Sequence, residues 1–252
     1  MAINTAPTKI NTPRCLDCHC RSTCLFAALS NGERAQWLNV SQCLKVSRGD
    51  EIFRQHGEAS AFYVVKSGSF KSYFVSEDGC EQLVAFHYPG DILGLDAFVK
   101  GYHHSNAAAL ETASVCRISR SVIDQIAERN PSIWSLFMDT ASHQIAERDE
   151  HLLVVAQRSA RVRLAWFINQ ISASQRERGY CSTEINLHMS RTEIANYLAM
   201  AVETVSRLFA EFESEGVMEV NRRSIKILNP NALAATACAE GSFNKSSLRA
   251  AG

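Results

Sequence analysis

Four cysteines lie within ten residues near the start of the chain: Cys15, Cys18, Cys20 and Cys24. Thiolates at such short separations can converge on one soft metal centre. The spacing matches neither the usual ferredoxin run nor a zinc ribbon built from two cysteine pairs. From the residues alone, the chemistry is therefore open between an iron–sulfur cluster, a zinc site and a thiol redox switch.

A second group of chemically capable side chains lies on a predicted helix in the last third of the chain. Glu203, Ser206 and Arg207 are spaced i, i+3 and i+4, so they project side by side from one helical face. Arginine can bridge O6 and N7 of guanine, and glutamate can accept a hydrogen bond from cytosine N4. The same residues on an ordinary surface helix would form only a solvated Glu–Arg pair.

The surroundings of these three residues favour contact with DNA. Ser190 and Glu193 have the spacing of a capping box, which predicts the start of a first short helix. A tight turn at residues 199–201 separates it from the second helix, and two short β segments follow. Two short helices with a tight turn and a β-wing form a winged helix-turn-helix.

Composition limits the possible functions. The 252 residues are 46% hydrophobic and 21% charged, as in a globular protein of one or two domains. Twenty-six basic residues balance twenty-six acidic ones, so DNA binding must come from a local site. The sequence contains neither an apolar run that would span a bilayer nor a signal peptide at its start. We expect a cytoplasmic protein without a membrane partner.

Elements of other types separate the two groups. Residues 25–43 are predicted to form a short helix. Between about residues 44 and 118, β-rich pieces alternate with turn signals, which predicts an antiparallel sandwich or barrel. The segment after Pro230 is predicted to be flexible.

A long helix is predicted to begin near Asn130 and to carry a dimer seam. Seven residues follow each other at alternating intervals of four and three: Trp134, Met138, Ala141, Ile145, Arg148, Leu152 and Val155. This spacing is typical of a two-stranded coiled coil and predicts a homodimer. In the alternative interpretation the helix packs on its own domain and Arg148 faces solvent.

Taken together, these features resemble the CRP/FNR family, and within it the oxygen-sensing fumarate and nitrate reduction branch. Cys15, Cys18 and Cys24 match the family's C-x₂-C-x₅-C pattern, and Cys116 in LETASVCRI stands where the family has a fourth ligand. VETVSR matches the family's DNA-reading segment. The implied fold is α+β, with an N-terminal cyclic-nucleotide-binding-like β-roll, a long dimerisation helix and a C-terminal winged helix-turn-helix.

The resemblance also implies a function. One [4Fe–4S] cluster per protomer promotes dimerisation and binding to a TTGAT-type palindrome, and oxygen destroys the cluster and releases the DNA. The family's recognition residues map onto Glu203, Ser206 and Arg207, and the turn at Ser76–Gln82 resembles a surface that touches RNA polymerase. The alternative is a zinc- or thiol-based redox regulator on the same scaffold. No motif of an enzyme is present.

The predicted organisation has five parts. They are a cysteine-rich cluster-binding segment (1–30), a β-roll sensor domain (31–129), a dimerisation helix (130–157), a winged helix-turn-helix (158–230) and a flexible tail (231–252).

The chain departs from the family pattern at several positions. Cys20 is an extra cysteine that is either a spare or a substitute for Cys18. Ala199 replaces the usual turn glycine, at a cost of about 1 kcal/mol if its backbone is left-handed. Arg148 replaces an acidic seam residue, and we hypothesise that it opposes dimerisation of the cluster-free protein.

The ligand of the β-roll is a further point of difference. Nucleotide-binding relatives carry an Arg-Ser pair for the phosphate, but this chain has HHSNAAA, so we expect no cyclic nucleotide. A haem-binding gas sensor is a third interpretation, with three histidines as ligand candidates: His87, His103 and His104. They are more simply explained as polar loop residues.

Overall fold

The computed structural model describes Thr8–Lys9, Cys24, residues 41–97 and residues 100–239. The predictions for Cys15, Cys18 and Cys20, and for a helix over residues 25–40, lie outside this part of the chain. The chain is divided into two compact units, Met1–Arg148 and Asp149–Gly252. The bounds of the five predicted parts stay predictions.

The first unit is built from antiparallel strands. They are β1 (Thr8–Lys9), β2 (Ser41–Val46), β3 (Glu51–Phe53), β4 (Ala61–Ser67), β5 (Phe70–Val75), β6 (Glu81–His87), β7 (Ile92–Leu93), β8 (Asn106–Ala109) and β9 (Ala113–Ser119). One sheet has the order β1-β2-β9-β4-β7 and the other β3-β8-β5-β6. The predicted helix over 25–43 is wrong at its end, because residues from Ser41 onward pair with β9.

Each face of the five-stranded sheet has its own apolar core. Side chains alternate along a strand, so neighbouring residues face opposite ways. Val65 and Val115 are fully buried between the two sheets, in one cluster with Phe70. Val64 and Ile118 belong to a second cluster on the outer face. The sheet is therefore buried on both sides.

Helices cover that outer face. A 3-10 turn (Leu95–Ala97) precedes β8, and α1 (Arg120–Arg129) and α2 (Ser132–Gln157) follow β9. Ile123 of α1 and Ile133 and Phe137 of α2 are buried in the outer cluster. These contacts fix the start of the long helix on the sheet that carries Cys116.

The second unit has a helical core and a small sheet. Its elements beyond the end of α2 are α3 (Ala160–Glu177), β10 (Glu184–Asn186), α4 (Arg191–Tyr197), α5 (Val202–Ser214), β11 (Met218–Asn221), β12 (Ser224–Ile227) and α6 (Pro230–Cys238). The sheet order is β10-β12-β11. The sequence predicted a two-stranded wing; β10 adds a third strand, in which only Ile185 is buried.

The segment after Pro230 differs from its prediction. Instead of a flexible tail from residue 231, the structure has α6 up to Cys238. The Asn229 side chain accepts a hydrogen bond from the Ala232 N–H at 3.0 Å, and Pro230 occupies the first turn, where its missing N–H costs nothing. Leu233 is buried. Packing of this side chain outweighs the weak apolar pattern of the segment.

None of the described helices is long and apolar enough to cross a bilayer.

Candidate metal centre and nucleic-acid interface

Cys116 lies in β9 on the outer face of the five-stranded sheet. It pairs in register with Cys43 on one side and with Val64 on the other. Directly opposite residues of antiparallel strands project to the same face. Cys116 is half-buried and packs against the outer apolar cluster.

Cys24 packs against the same cluster as Cys116 and is also half-buried. Two of the four candidate ligands, far apart in sequence, thus lie against one apolar patch. An apolar setting disfavours a bare thiolate, whereas a bound metal stabilises one. Sulfur donors in an apolar, partly shielded position fit an iron–sulfur cluster. Within the described ranges, no group of three or more His, Cys, Asp or Glu side chains is placed to hold a metal ion.

Cys43 is a neighbour that the sequence did not single out. It is buried, and the Lys66 ammonium lies 3.9 Å from its sulfur. Cys43 precedes the β-rich region that the pattern identified, and no spacing motif includes it. Only the pairing of β2 with β9 brings it next to Cys116.

The three candidate haem ligands differ in position, since His87 lies in a strand, whereas His103 and His104 lie in the loop before β8 as expected. His87 ends β6 and is buried, with Nε2 at 2.8 Å from the Ser72 hydroxyl. Burial, together with the nearby positive charge of Arg148, lowers the pKa of His87 to about 3. His103 is also buried and stacks on Phe53, with ring centroids 3.8 Å apart. These rings serve the interior of the β-roll.

The long helix α2 exposes part of its predicted seam. Met138, Ile145 and Leu152 are 64%, 60% and 65% exposed, and they recur every seventh residue. Arg148 is exposed as well, and the remaining seam residues are half-buried: Trp134, Ala141 and Val155. Large apolar residues exposed at seven-residue intervals on one helix are typical of a coiled-coil seam.

The helix-turn-helix has the predicted local structure. Ser190 accepts from the N–H of Glu193 at 3.2 Å, and the Glu193 carboxylate accepts from the N–H of Ser190 at 2.7 Å. Ala199 has a left-handed backbone with φ of 50°, so the condition for its steric cost is met. Arg163 of α3 donates to the carbonyls of Leu198 and Ala199 at 3.2 and 3.0 Å, which ties the turn to α3.

The helix α5 presents one apolar and one polar face. Val205, Leu208, Phe209 and Phe212 are buried. Glu203, Ser206 and Arg207 are all exposed. Arg207 donates to Glu211 at 3.0 Å, which is an i, i+4 surface pair with a partner other than the expected Glu203. Because all three side chains are exposed, a large ligand can reach them.

Two pairs of residues in the helix-turn-helix and its wing could contact the DNA backbone. Arg222 and Arg223 are exposed in the turn between β11 and β12. Arg191 is half-buried instead, with its guanidinium 3.5 Å from the centroid of the Phe209 ring. Thr192 beside it is exposed. The geometry favours the wing arginines over Arg191 for phosphate contacts.

Comparison with known proteins agrees with this architecture. A Crp-like helix-turn-helix domain matches residues 162–236, and a cyclic nucleotide-binding domain matches residues 43–130. The fumarate and nitrate reduction regulatory protein of Salmonella typhi is 36% identical over 224 residues, which cover 88% of this chain and 90% of that protein. Its counterpart from Escherichia coli K12 is 35% identical over 221 residues, 87% and 88% of the two chains.

Solved structures show the same fold. FixK2 from Bradyrhizobium japonicum superposes with a TM-score of 0.74 at 26% identity, and the match covers 80% of this chain and all of that one. This superposition agrees with the helix-turn-helix described above. The two domain matches and the two relatives, which align with more than four fifths of this chain, agree with it as well. The chain is a DNA-binding transcription regulator rather than an enzyme, and it belongs to the CRP/FNR family.

Proposed function

We propose that this protein is an oxygen-responsive transcription regulator with one [4Fe–4S] cluster per protomer. Four cysteines would hold the cluster: Cys15, Cys18, Cys24 and Cys116. The observation that carries the proposal is the packing of Cys24 and Cys116 against one apolar cluster. The names of the curated relatives, which refer to fumarate and nitrate reduction, support a role in the response to low oxygen. When bound, the cluster supplies the reaction with dioxygen that constitutes the signal.

The residues of this chain explain how such a signal would reach the long helix. Cys116 lies four positions before α1, and α1 leads directly into α2. Bonds from Cys116 and Cys24 to a common core would join the N-terminal segment to β9. The apolar cluster that contacts both cysteines also contains Ile133 and Phe137 of α2. A shift of the two cysteines would therefore change the packing at the start of α2.

Dimerisation would use the exposed stripe of α2. Burying Met138, Ile145 and Leu152 against a second copy removes apolar surface from water, which favours association. The seam also contains Ala141, a small residue, and Val155, a β-branched one. The family architecture and the heptad spacing both support a parallel pair of such helices.

Arg148 would oppose this association. At a seam position, two arginines approach across the twofold axis and must lose water unless an acidic residue neutralises them. We expect Arg148→Ala to tighten dimerisation of the cluster-free protein, and analytical ultracentrifugation measures the change. Arg176→Ala, at an exposed position near the end of α3, is the matched control. An unchanged association constant for Arg148→Ala would refute this role.

The dimer would read a TTGAT-type palindrome. Two copies of α5 would enter successive major grooves about one helical turn apart, with Glu203, Ser206 and Arg207 toward the bases. Transcription activation would use the exposed turn between β5 and β6, in the segment Ser76–Gln82, as a contact for RNA polymerase.

Single cysteine variants test the proposal. Iron and sulfide are measured in protein purified without air, and the absorption spectrum is recorded. Replacement of Cys15, Cys18, Cys24 or Cys116 by serine is expected to abolish the cluster. Cys20→Ser and Cys43→Ser are expected to retain it, and Cys43→Ser is the stricter control because this residue lies directly opposite Cys116.

Three outcomes would contradict the assignment. Cluster loss only in Cys20→Ser would move the ligand role to that residue. A colourless protein with bound zinc would favour the zinc-based regulator. A metal-free protein whose DNA binding follows thiol oxidation would favour the thiol switch.

A further inference from the structure

Asp96 lies in the 3-10 turn before β8, and three donors surround its carboxylate. Oδ2 accepts hydrogen bonds from the N–H of His104 at 2.9 Å, from the N–H of Ser105 at 3.2 Å and from the Ser105 hydroxyl at 3.1 Å. Successive backbone N–H groups that point to one spot form a cradle for an anion. Here the anion is a side chain of the protein itself.

The imidazole of His103 closes the other side of the carboxylate. Its side chain is 2% exposed, and Nδ1 lies 3.7 Å from Oδ1 of Asp96. Among the described residues, Nδ1 has no hydrogen-bond partner within normal distance. Gly94 makes room for this arrangement, because a Cβ at that position would meet Cε1 of His103 at 3.1 Å. The ring is thus held against the carboxylate by its packing.

The charge of Asp96 agrees with this surrounding. Burial by itself raises the pKa of the carboxyl group. The contact with His103 and the hydrogen bonds from His104 and Ser105 outweigh burial and lower the pKa below its usual value. Asp96 therefore stays ionised inside the domain, as a bound anion would.

The position of the cradle in the domain indicates what it could bind. It lies within residues 43–130, which match a cyclic nucleotide-binding domain, and Ser105 belongs to HHSNAAA, the segment that lacks an arginine for a phosphate. We propose that the Asp96 carboxylate is a built-in anion that fills an oxyanion-binding cradle of this domain. The cradle is then closed to small oxyanions such as phosphate, and it opens to them when the carboxylate is removed. This inference does not depend on the proposed cluster.

The test is rescue of an Asp96→Ala variant by anions. The thermal midpoint of the full-length protein is measured without air in formate, in phosphate and in chloride of equal ionic strength. Loss of three hydrogen bonds to a charged group is expected to lower the midpoint of Asp96→Ala by roughly 10 °C or more. Formate or phosphate should restore at least half of that loss, with a saturable dependence on concentration, and chloride should not.

Two controls isolate the cradle. The wild-type protein should respond to formate and phosphate as it does to chloride, because Asp96 occupies the site. Asp91→Ala removes another partly buried carboxylate, whose Oδ2 accepts from the Tyr88 N–H at 2.8 Å, and its loss should not be restored by any of the salts. The formate and phosphate arms show whether the opened cradle takes a carboxylate alone or also a phosphate.

The result that overturns the proposal is the absence of anion-specific rescue in Asp96→Ala, or equal stabilisation of the wild type. If Asp96→Ala is too unstable for melting curves, its refolding yield from urea in formate, phosphate and chloride gives the same comparison. The iron content of the variant is a separate measurement, so failure here leaves the cysteine assignment to its own test.

Discussion

The two units of this protein differ in the burial of their functional side chains, which are enclosed or half-buried in the first unit and exposed in the second. In the first unit the polar and sulfur groups lie inside or against packed surfaces: Cys116 is half-buried, His87 is buried, and Asp96 is enclosed by backbone donors. In the second unit Glu203 and Arg207 point into solvent. A buried group can transmit a signal only by changing how its neighbours pack, whereas an exposed row of side chains can contact a ligand as large as DNA.

The largest expected effect concerns His87, which is buried in the first unit beside Ser72. The pKa of His87 is about 3 when folded, against 6.5 in an exposed histidine. Below about pH 6.5 the unfolded chain binds a proton that the folded protein does not, so stability falls as the pH falls, by up to about 1.4 kcal/mol per pH unit. Between about pH 7 and about pH 4.5, His87 should account for a loss of nearly 3 kcal/mol, which is about two pH units at that slope.

Urea unfolding without air at several pH values measures this effect. His87→Asn keeps a hydrogen-bonding side chain for Ser72 and should make the pH dependence shallower. His143→Asn, at an exposed position on α2, should leave the pH dependence as in the wild type. A His87→Asn protein with the wild-type slope would mean that the histidine is not held neutral by its surroundings.

A somewhat smaller effect is expected at the exposed face of the second unit. Arg207→Ala should weaken binding to the specific site by about 1–3 kcal/mol and relax the preference at one guanine, since a bidentate contact to O6 and N7 is lost. Fluorescence anisotropy with the site and its single-base variants measures both. Arg176→Ala removes the same charge from a position outside α5, and it should leave base preference intact. A uniform loss across all sequences in Arg207→Ala would reduce the residue to a phosphate contact.

The smallest effect lies in the turn between α4 and α5. Ala199→Gly should stabilise the second unit by about 0.5–1 kcal/mol, because glycine adopts a positive φ without steric cost. Ala201→Gly is the matched control, since Ala201 has a φ of −67° and gains nothing from glycine. Chemical denaturation of both variants measures the difference. Equal stability changes in the two would show that the backbone at Ala199 carries no penalty.

Local features were accessible from the sequence because they depend on residues a few positions apart. The capping box at Ser190 and the exposed face of Glu203 and Arg207 both follow from helix geometry over one or two turns. The prediction of the wing was incomplete because one of its strands is distant in sequence from the others. Its third strand, β10, lies more than thirty residues before its partner β12, and no local pattern announced the pairing.

The sequence by itself determined the helix-turn-helix, the seven-residue repeat of α2 and the group of four cysteines near the N-terminus, because each depends on the spacing of neighbouring residues. Tertiary structure alone decided that Cys24 meets the apolar cluster of Cys116, that Cys43 lies opposite Cys116, and that Asp96 fills a cradle made by His104 and Ser105. The physical reason is that strand register and loop closure join residues far apart in the chain. Such contacts are fixed by packing of the whole domain rather than by local preference.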